Sequence, residues 1–332
     1  GERDVTAFVV RDGQVDARRL PGAVVQSRRL VSSLRQECIL IGAATVQQGR
    51  AGSAALDALY ETLVEPVADL LSDLDEELRV IGHLHLHAVP FDALLDTGAP
   101  WHDQLGGGLA ETDDSAQQDA EWRTPPTTLV LAVPDAAAPS IRAEAEMVFT
   151  TLPDAHVLVG GAATREALRR YAGHVDLVHL ACHGIFHATN PLRSALQLGD
   201  GWMTAQDILD EDLGLQGAAV VLSACSAGRG AEEVPDPLGL TWACLAAGAH
   251  SVIAALWQVD DQVTAQLMSS FYSDLVRGIK PEQALARARR VVARDYPHPY
   301  FWAGFRCFTS PDERAHAWGR RRRELRGLPD AG

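Results

Sequence analysis

The chain has 332 residues, 47% of them hydrophobic and 22% charged, with a formal net charge of −15. That length can bury a large core as one big or two medium domains, and the acidity argues against a nucleic-acid surface over the whole chain. No apolar run reaches the ~18 residues of a membrane span, and no charged-then-apolar leader opens the chain. Neither nucleic acid nor membrane is therefore an expected partner, and a cytoplasmic protein is expected. The five cysteines (Cys38, Cys182, Cys225, Cys244, Cys307) are an odd number lying mostly in apolar runs, which fits reduced thiols better than a disulfide framework. The chain opens on Gly rather than Met, so a longer parent chain is expected.

In chain order, residues 4–10 read as a strand, with a turn at Asp12–Gly13 and a second strand near Val15. Two helical patterns follow, over about 24–48 and 53–71, the second with Leu56, Leu59, Leu63, Val67 and Leu70 at helical spacing and Ser53 as its cap. Residues 78–81 and 84–89 read as strands. His83, His85 and His87 alternate with leucines there, so a strand would carry all three imidazoles on one face. Histidines at i and i+2 can ligate zinc, but no nearby carboxylate or thiol completes the set. A polar strand face is the expectation, with no metal.

Residues 96–126 are rich in Gly, Asp, Gln and Pro without periodicity and read as an acidic flexible linker. From residue 127 a regular alternation of strand and helix begins, the mark of an α/β fold. Strands are expected at 128–133, 156–159, 175–184, 195–198, 219–225 and 251–256. Helices are expected at 140–150 (with Ser140 and Glu144 placed to cap it), 164–171, 204–209, 238–247, 261–277 and from Pro281 to about 294. An aromatic stretch, 300–308, closes the fold.

Two runs organise this half, VDLVHLACHG (175–184) and AVVLSACSAG (219–228). Each is apolar and β-branched, as a buried parallel strand reads, and each ends among small residues. One ends on His183 and the other on Cys225. Ligands in open α/β sheets bind at the carboxyl ends of strands, so the pair reads as a Cys–His dyad, a nucleophile beside its base. His179 lies within its strand and is the better core histidine. One of two stretches, residues 96–126 or the loop 226–237 after Cys225, is expected to be ordered or cut on activation.

These residues resemble the CHAT family of caspase-like proteins, in the caspase/separase clan of cysteine peptidases. The resemblance rests on LDALYETLVEP (56–66), VPFDAL (89–94), HLACHG (179–184), LRSALQL (192–198), LSACSAG (222–228), GLTWACLAAGAHSVIAALWQVDD (239–261) and PYFWAGF (299–305). It implies a caspase-like α/β/α sandwich with a mostly parallel central sheet. Residues 1–126 would form a degenerate N-terminal half, residues 127–318 the catalytic half and residues 319–332 a basic tail. It implies a bacterial cysteine endopeptidase acting in defence or signalling, with His183 as catalytic base and Cys225 as nucleophile. The alternative is a catalytically inactive protein-interaction module. The expected partners are a protein substrate and a regulatory protein or domain, since repeat modules such as TPR arrays often precede this domain.

The chemistry expected is acyl transfer without a cofactor. The backbone N–H groups of Gly184 and Cys225 would form the oxyanion hole, with the missing Cβ of Gly184 leaving room for the carbonyl. In the clan the specificity pocket is built just before the Cys and at the end of the next strand. That points to Ser223 and to Trp257, Asp260 and Asp261, with His187 a candidate from the loop after His183. Asp260 or Asp261 would receive a basic P1 side chain; if Asp261 only caps the next helix, a small or apolar P1 is expected instead.

Overall fold

The computed structural model describes residues 3–11, 13–43, 53–71, 80, 84–95, 125–136, 138–187, 189–226 and 238–309. The expected linker 96–126 (apart from its last two residues), the loop 227–237, nearly all of the expected strand 78–81 and the basic tail 319–332 lie outside the described residues.

The N-terminal residues form an antiparallel hairpin, β1 (Val5–Arg11) and β2 (Gln14–Leu20), with Val10 opposite Val15. Helix α1 (Ala23–Ala43) follows. The helix expected over 53–71 is broken. Ser53 Oγ accepts from Leu56 N at 3.3 Å and starts α2 (Ala54–Leu63), but a 3-10 turn at Glu65–Val67 separates it from α3 (Ala68–Leu71). The cause is Pro66, which has no N–H for the helix ladder and clashes with the preceding turn. Leu56, Leu59 and Leu63 are buried, as their spacing requires.

The strand expected at 84–89 is corrected as well. Leu84–Ala88 is a 3-10 helix leading into α4 (Phe91–Leu95). No described strand pairs with it. Instead the buried Arg306 donates from Nη1 to the carbonyls of His87 (2.8 Å) and Val89 (3.0 Å). His85 Nε2 meets Ser27 Oγ at 2.7 Å, and the His87 ring packs edge-on to Trp242 at 5.1 Å between centroids. Burial, and then the charge of Arg28, hold the pKa of His85 below its usual value. The two described histidines therefore do not share a polar strand face. Among the described residues no group of three or more His, Cys, Asp or Glu is placed to hold a metal ion.

The C-terminal half builds a central sheet from β3 (Thr128–Ala132), β4 (Ala155–Val159), β5 (Leu177–Ile185), β6 (Ala195–Leu198), β7 (Gly201–Thr204), β8 (Ala219–Ser226), β9 (Ser251–Ala255) and β10 (Phe305–Thr309). Its order is β10-β9-β8-β5-β3-β4, with β6 and β7 paired off β5. The pairs β3–β4, β3–β5, β5–β8 and β8–β9 are parallel, while β10 runs antiparallel to β9. Residues 177–182 of β5 and 219–222 of β8 are buried without a break, as strands covered on both faces must be. The expected mostly parallel α/β sheet is what forms, with β7 and β10 as additions. No described residue before 125 joins it.

The connecting helices are α5 (Ser140–Thr151), α6 (Arg165–Tyr171), α7 (Ala205–Asp210), α8 (Leu238–Ala246), α9 (Asp261–Val276) and α10 (Pro281–Asp295). Helix α9 packs on both α5 and α10, and α7 packs on α8. Parallel crossovers are right-handed. The step β3→β4 runs one way along the sheet, and β4→β5 and β8→β9 run the other way. This sets α6 and α8 on the face opposite α5 and gives three layers. Successive connections reverse direction between β3 and β5, and a crevice opens at such a switch point beyond the strand ends.

Arg306 ties the N-terminal segment to the edge strand β10. Arg306→Leu strands two carbonyls that the guanidinium serves, and it should lower stability by about 2–4 kcal/mol in a denaturant titration. A loss under about 0.5 kcal/mol would mean that the N-terminal segment is held elsewhere.

Candidate functional site

His183 and Cys225 are Cα register partners on β5 and β8, near the carboxyl ends of adjacent parallel strands. The imidazole of His183 is mostly buried, and its Nε2 lies 3.0 Å from Oδ2 of Asp135. Asp135 follows β3, the strand on the other side of β5. Its second oxygen, Oδ1, accepts from Ala138 N at 2.9 Å, a short side-chain-closed turn ahead of α5. With Nε2 turned to Asp135, Nδ1 is the nitrogen left for exchanging a proton elsewhere. Asp135 was not legible from the sequence. Its context, VPDAA, reads as an ordinary turn, and only the sheet order brings it to His183.

Ser223 and His179 belong to a second cluster on the α5/α9 face of the sheet. Ser223 Oγ donates to Glu144 Oε2 at 2.9 Å. Glu144 Oε1 lies 3.4 Å from His179 Nε2, and Tyr272 OH meets His179 Nδ1 at 2.6 Å. Burial, and then the charge of Glu144, raise the Tyr272 pKa well above its ordinary value. The phenol stays protonated and donates to Nδ1, which leaves the His179 proton on Nε2, facing Glu144. His179 is thus the core histidine that its position suggested. Glu144 does not cap α5 with Ser140. The residue before that helix is Pro139, without a side-chain cap, and Glu144 turns inward instead.

The remaining candidates have partners of their own. The Trp257 ring is 5% exposed and donates from Nε1 to the Tyr300 carbonyl at 2.9 Å. It is packed so closely on Gly304 that a Cβ there would sit 3.0 Å from that nitrogen. Its ring anchors the segment after β9. Asp260, not Asp261, caps α9, its Oδ1 accepting from Gln262 N at 2.9 Å and Val263 N at 3.1 Å. Asp261 is the first residue of that helix and is exposed. Burial, with the charges of Asp260, Cys38 and Asp261 added, pushes the Tyr300 pKa up to about 12.

His187 is half-buried, and its backbone N–H donates to Ser194 Oγ at 3.0 Å. Gly184 is a glycine for a reason other than the one expected. A Cβ there would meet the Phe186 ring at 2.8 Å and the Ala224 Cβ at 3.3 Å, so packing within the protein already requires the missing Cβ. Cys38, Cys182, Cys244 and Cys307 are buried. Burial pushes the Cys244 thiol up to about 12 and raises Cys38 further still, the latter with a smaller contribution from Glu37. Neither is a thiolate at neutral pH.

Fold and site define a three-layer α/β protein with its candidate chemistry at the carboxyl ends of β3, β5 and β8. The chain belongs to the CHAT domain family, whose model matches residues 53–310. Among curated proteins it is similar to Tetratricopeptide repeat protein 28 of Mus musculus, at 30% identity over 212 residues, covering 52% of this chain and 8% of that protein. The Homo sapiens protein of that name is 28% identical over the same coverage. The chain thus spans about 8% of the length of these relatives. Among solved structures it is similar to the Arg specific cysteine proteinase gingipain R, at 11% identity and a TM-score of 0.33, over 55% of this chain and 46% of that one. It is also similar to the complex of Porphyromonas gingivalis RgpB pro- and mature domains, at 10% identity and a TM-score of 0.36, over 64% and 54% of the two chains. No helix among the described residues is long and apolar enough to cross a membrane.

Proposed function

We propose that the chain is a cysteine endopeptidase that cleaves a protein partner through Cys225 and His183. The observation carrying this reading is the register of β5 and β8, which makes His183 and Cys225 partners at neighbouring strand ends. Membership of the CHAT family supports it. Residues 127–318 would carry the chemistry, with residues 1–126 a non-catalytic half tied to β10 through Arg306 at His87 and Val89.

In this mechanism His183 takes the thiol proton and Cys225 Sγ bonds to the carbonyl carbon of the scissile peptide. Backbone N–H groups of Gly184 and Cys225 stabilise the oxyanion. The C–N bond breaks as His183 returns the proton to the leaving amine. His183 then deprotonates a water, which attacks the thioester, releases the carboxylic acid and restores the thiol. Action in bacterial defence or signalling, and a repeat module as regulatory partner, belong to this proposal. The name of the curated relatives, tetratricopeptide repeat proteins, supports the latter.

A second reading, an inactive caspase-like module that binds a protein, is favoured by the same relatives, since the matched region is a small part of them. Peptide-library profiling of the chain and of Cys225→Ala separates the two. Cleavage by the first and none by the second supports the peptidase. No cleavage by either, with retained capture of a partner, supports the module.

A further inference from the structure

We infer that Asp135 is a positioning residue of this site, holding His183 by Nε2 so that Nδ1 faces the work of the nucleophile. The inference rests on the dyad reading above and adds a third member to it.

Three observations carry it. The first is topology. The spatial order of strands is β8, β5, β3, all parallel, so their carboxyl ends present Cys225, His183 and the Asp135 loop in that sequence. A base set between a nucleophile and an orienting acid is the general logic of activated nucleophiles. The second is placement. The β3 and β5 connections leave the sheet toward opposite faces, so Asp135 and His183 flank the switch-point crevice where α/β folds bind ligands. The third is the division of labour within one carboxylate. Oδ1 closes the turn on Ala138 N at 2.9 Å, and Oδ2 reaches His183 Nε2 at 3.0 Å. A residue needed only for the turn would use one oxygen. Here the turn fixes the carboxylate, and the second oxygen is aimed at the ring.

The competing account is a surface turn whose acid merely touches a histidine. Asp135 is half-exposed, 50% by side chain, and exposed pairs of this kind contribute little to stability. Its effect is therefore expected in the tautomer and reactivity of the site rather than in folding. An acceptor at Nε2 places the neutral ring's proton there and leaves the Nδ1 lone pair for the thiol. Once the thiol proton is taken, the same carboxylate faces a cation and holds it more strongly.

The test uses Asp135→Asn in the full 332-residue chain. Asparagine keeps an oxygen for Ala138 N, but its amide cannot accept a proton-bearing Nε2 as a carboxylate does. Two readouts are taken, the iodoacetamide alkylation rate of Cys225 at neutral pH and the imidazole 15N shifts of His183. The expected result is alkylation slowed by about tenfold to a hundredfold, the scale of one hydrogen bond to a charged group. The His183 shifts should move away from the Nε2–H tautomer at an unchanged melting temperature, with Asp135→Glu restoring most of the rate. Wild-type alkylation and unchanged 15N shifts in Asp135→Asn would overturn the inference and leave Asp135 a turn residue. If Asp135→Asn does not fold, Asp135→Ser, whose hydroxyl can still accept from Ala138 N, takes its place with the same two outcomes. His183→Ala separates the two claims. If it alkylates like the wild type the dyad reading falls, and the 15N shifts still decide the Asp135 contact.

Discussion

His183→Ala should slow alkylation of Cys225 at neutral pH by more than about tenfold, while the other four cysteines stay poorly reactive in both proteins. An ordinary thiol is mostly protonated at pH 7, and only its thiolate attacks. A register partner that takes the proton raises the thiolate fraction and speeds the reaction. Burial works the other way on Cys38 and on Cys244, the latter pushed up to about 12. Peptide mapping after a short pulse of iodoacetamide distinguishes them. Cys225→Ala should abolish proteolysis outright, because the other four cysteines are buried. Equal labelling of Cys225 with and without His183 would show that the imidazole does not activate it.

Glu144→Ala should destabilise the fold by about 2–4 kcal/mol, measured by denaturant unfolding. The carboxylate accepts from Ser223 Oγ at 2.9 Å and faces His179 Nε2 at 3.4 Å, with both partners inside the sheet–helix layer. Removing it leaves the half-buried Ser223 hydroxyl without its acceptor and takes the neighbouring carboxylate away from the buried His179 Nε2, and unmade buried hydrogen bonds cost more than made ones gain. Tyr272→Phe should cost less, about 1–2 kcal/mol, because it removes a single bond to His179 Nδ1. The two changes share one network, so the double variant should lose less than the sum. Strict additivity would mean that Tyr272 and Glu144 do not communicate through His179. The cluster also joins α5 and α9 to β8 two residues before Cys225, so Glu144→Ala should lower the alkylation rate of Cys225 as well.

What was legible follows from period and composition. The strands of His183 and Cys225 stand out because parallel strands buried on both faces read as unbroken apolar runs ending in Gly and Ser. Thr204, the first residue of the helix expected over 204–209, forms a capping box with Asp207, and Gly248, at φ +97°, follows α8. The failures have local causes. The alternation at 83–87 matched a strand period, but residues 84–88 meet a guanidinium, a serine and a tryptophan rather than a neighbouring strand, and they coil into a 3-10 helix. Trp257 and Asp260 follow a strand as pocket residues would. Their partners are Tyr300 and the first turn of α9, which no spacing rule ties to them. Asp135 stayed hidden because a turn Asp and a catalytic-site Asp read alike until the strand order is known. Glu144 was assigned to a cap by its offset from Ser140, and its real partners lie 35 and 79 residues further along the chain.

Covalent trapping tests the central claim most directly. The chain is incubated at neutral pH with a set of peptidyl acyloxymethyl ketones differing at P1, then digested and mapped by mass spectrometry. The account predicts one adduct, on Cys225, formed with a restricted range of P1 side chains and lost in His183→Ala. An adduct on any other cysteine, or one on Cys225 that forms equally fast without His183, would contradict it.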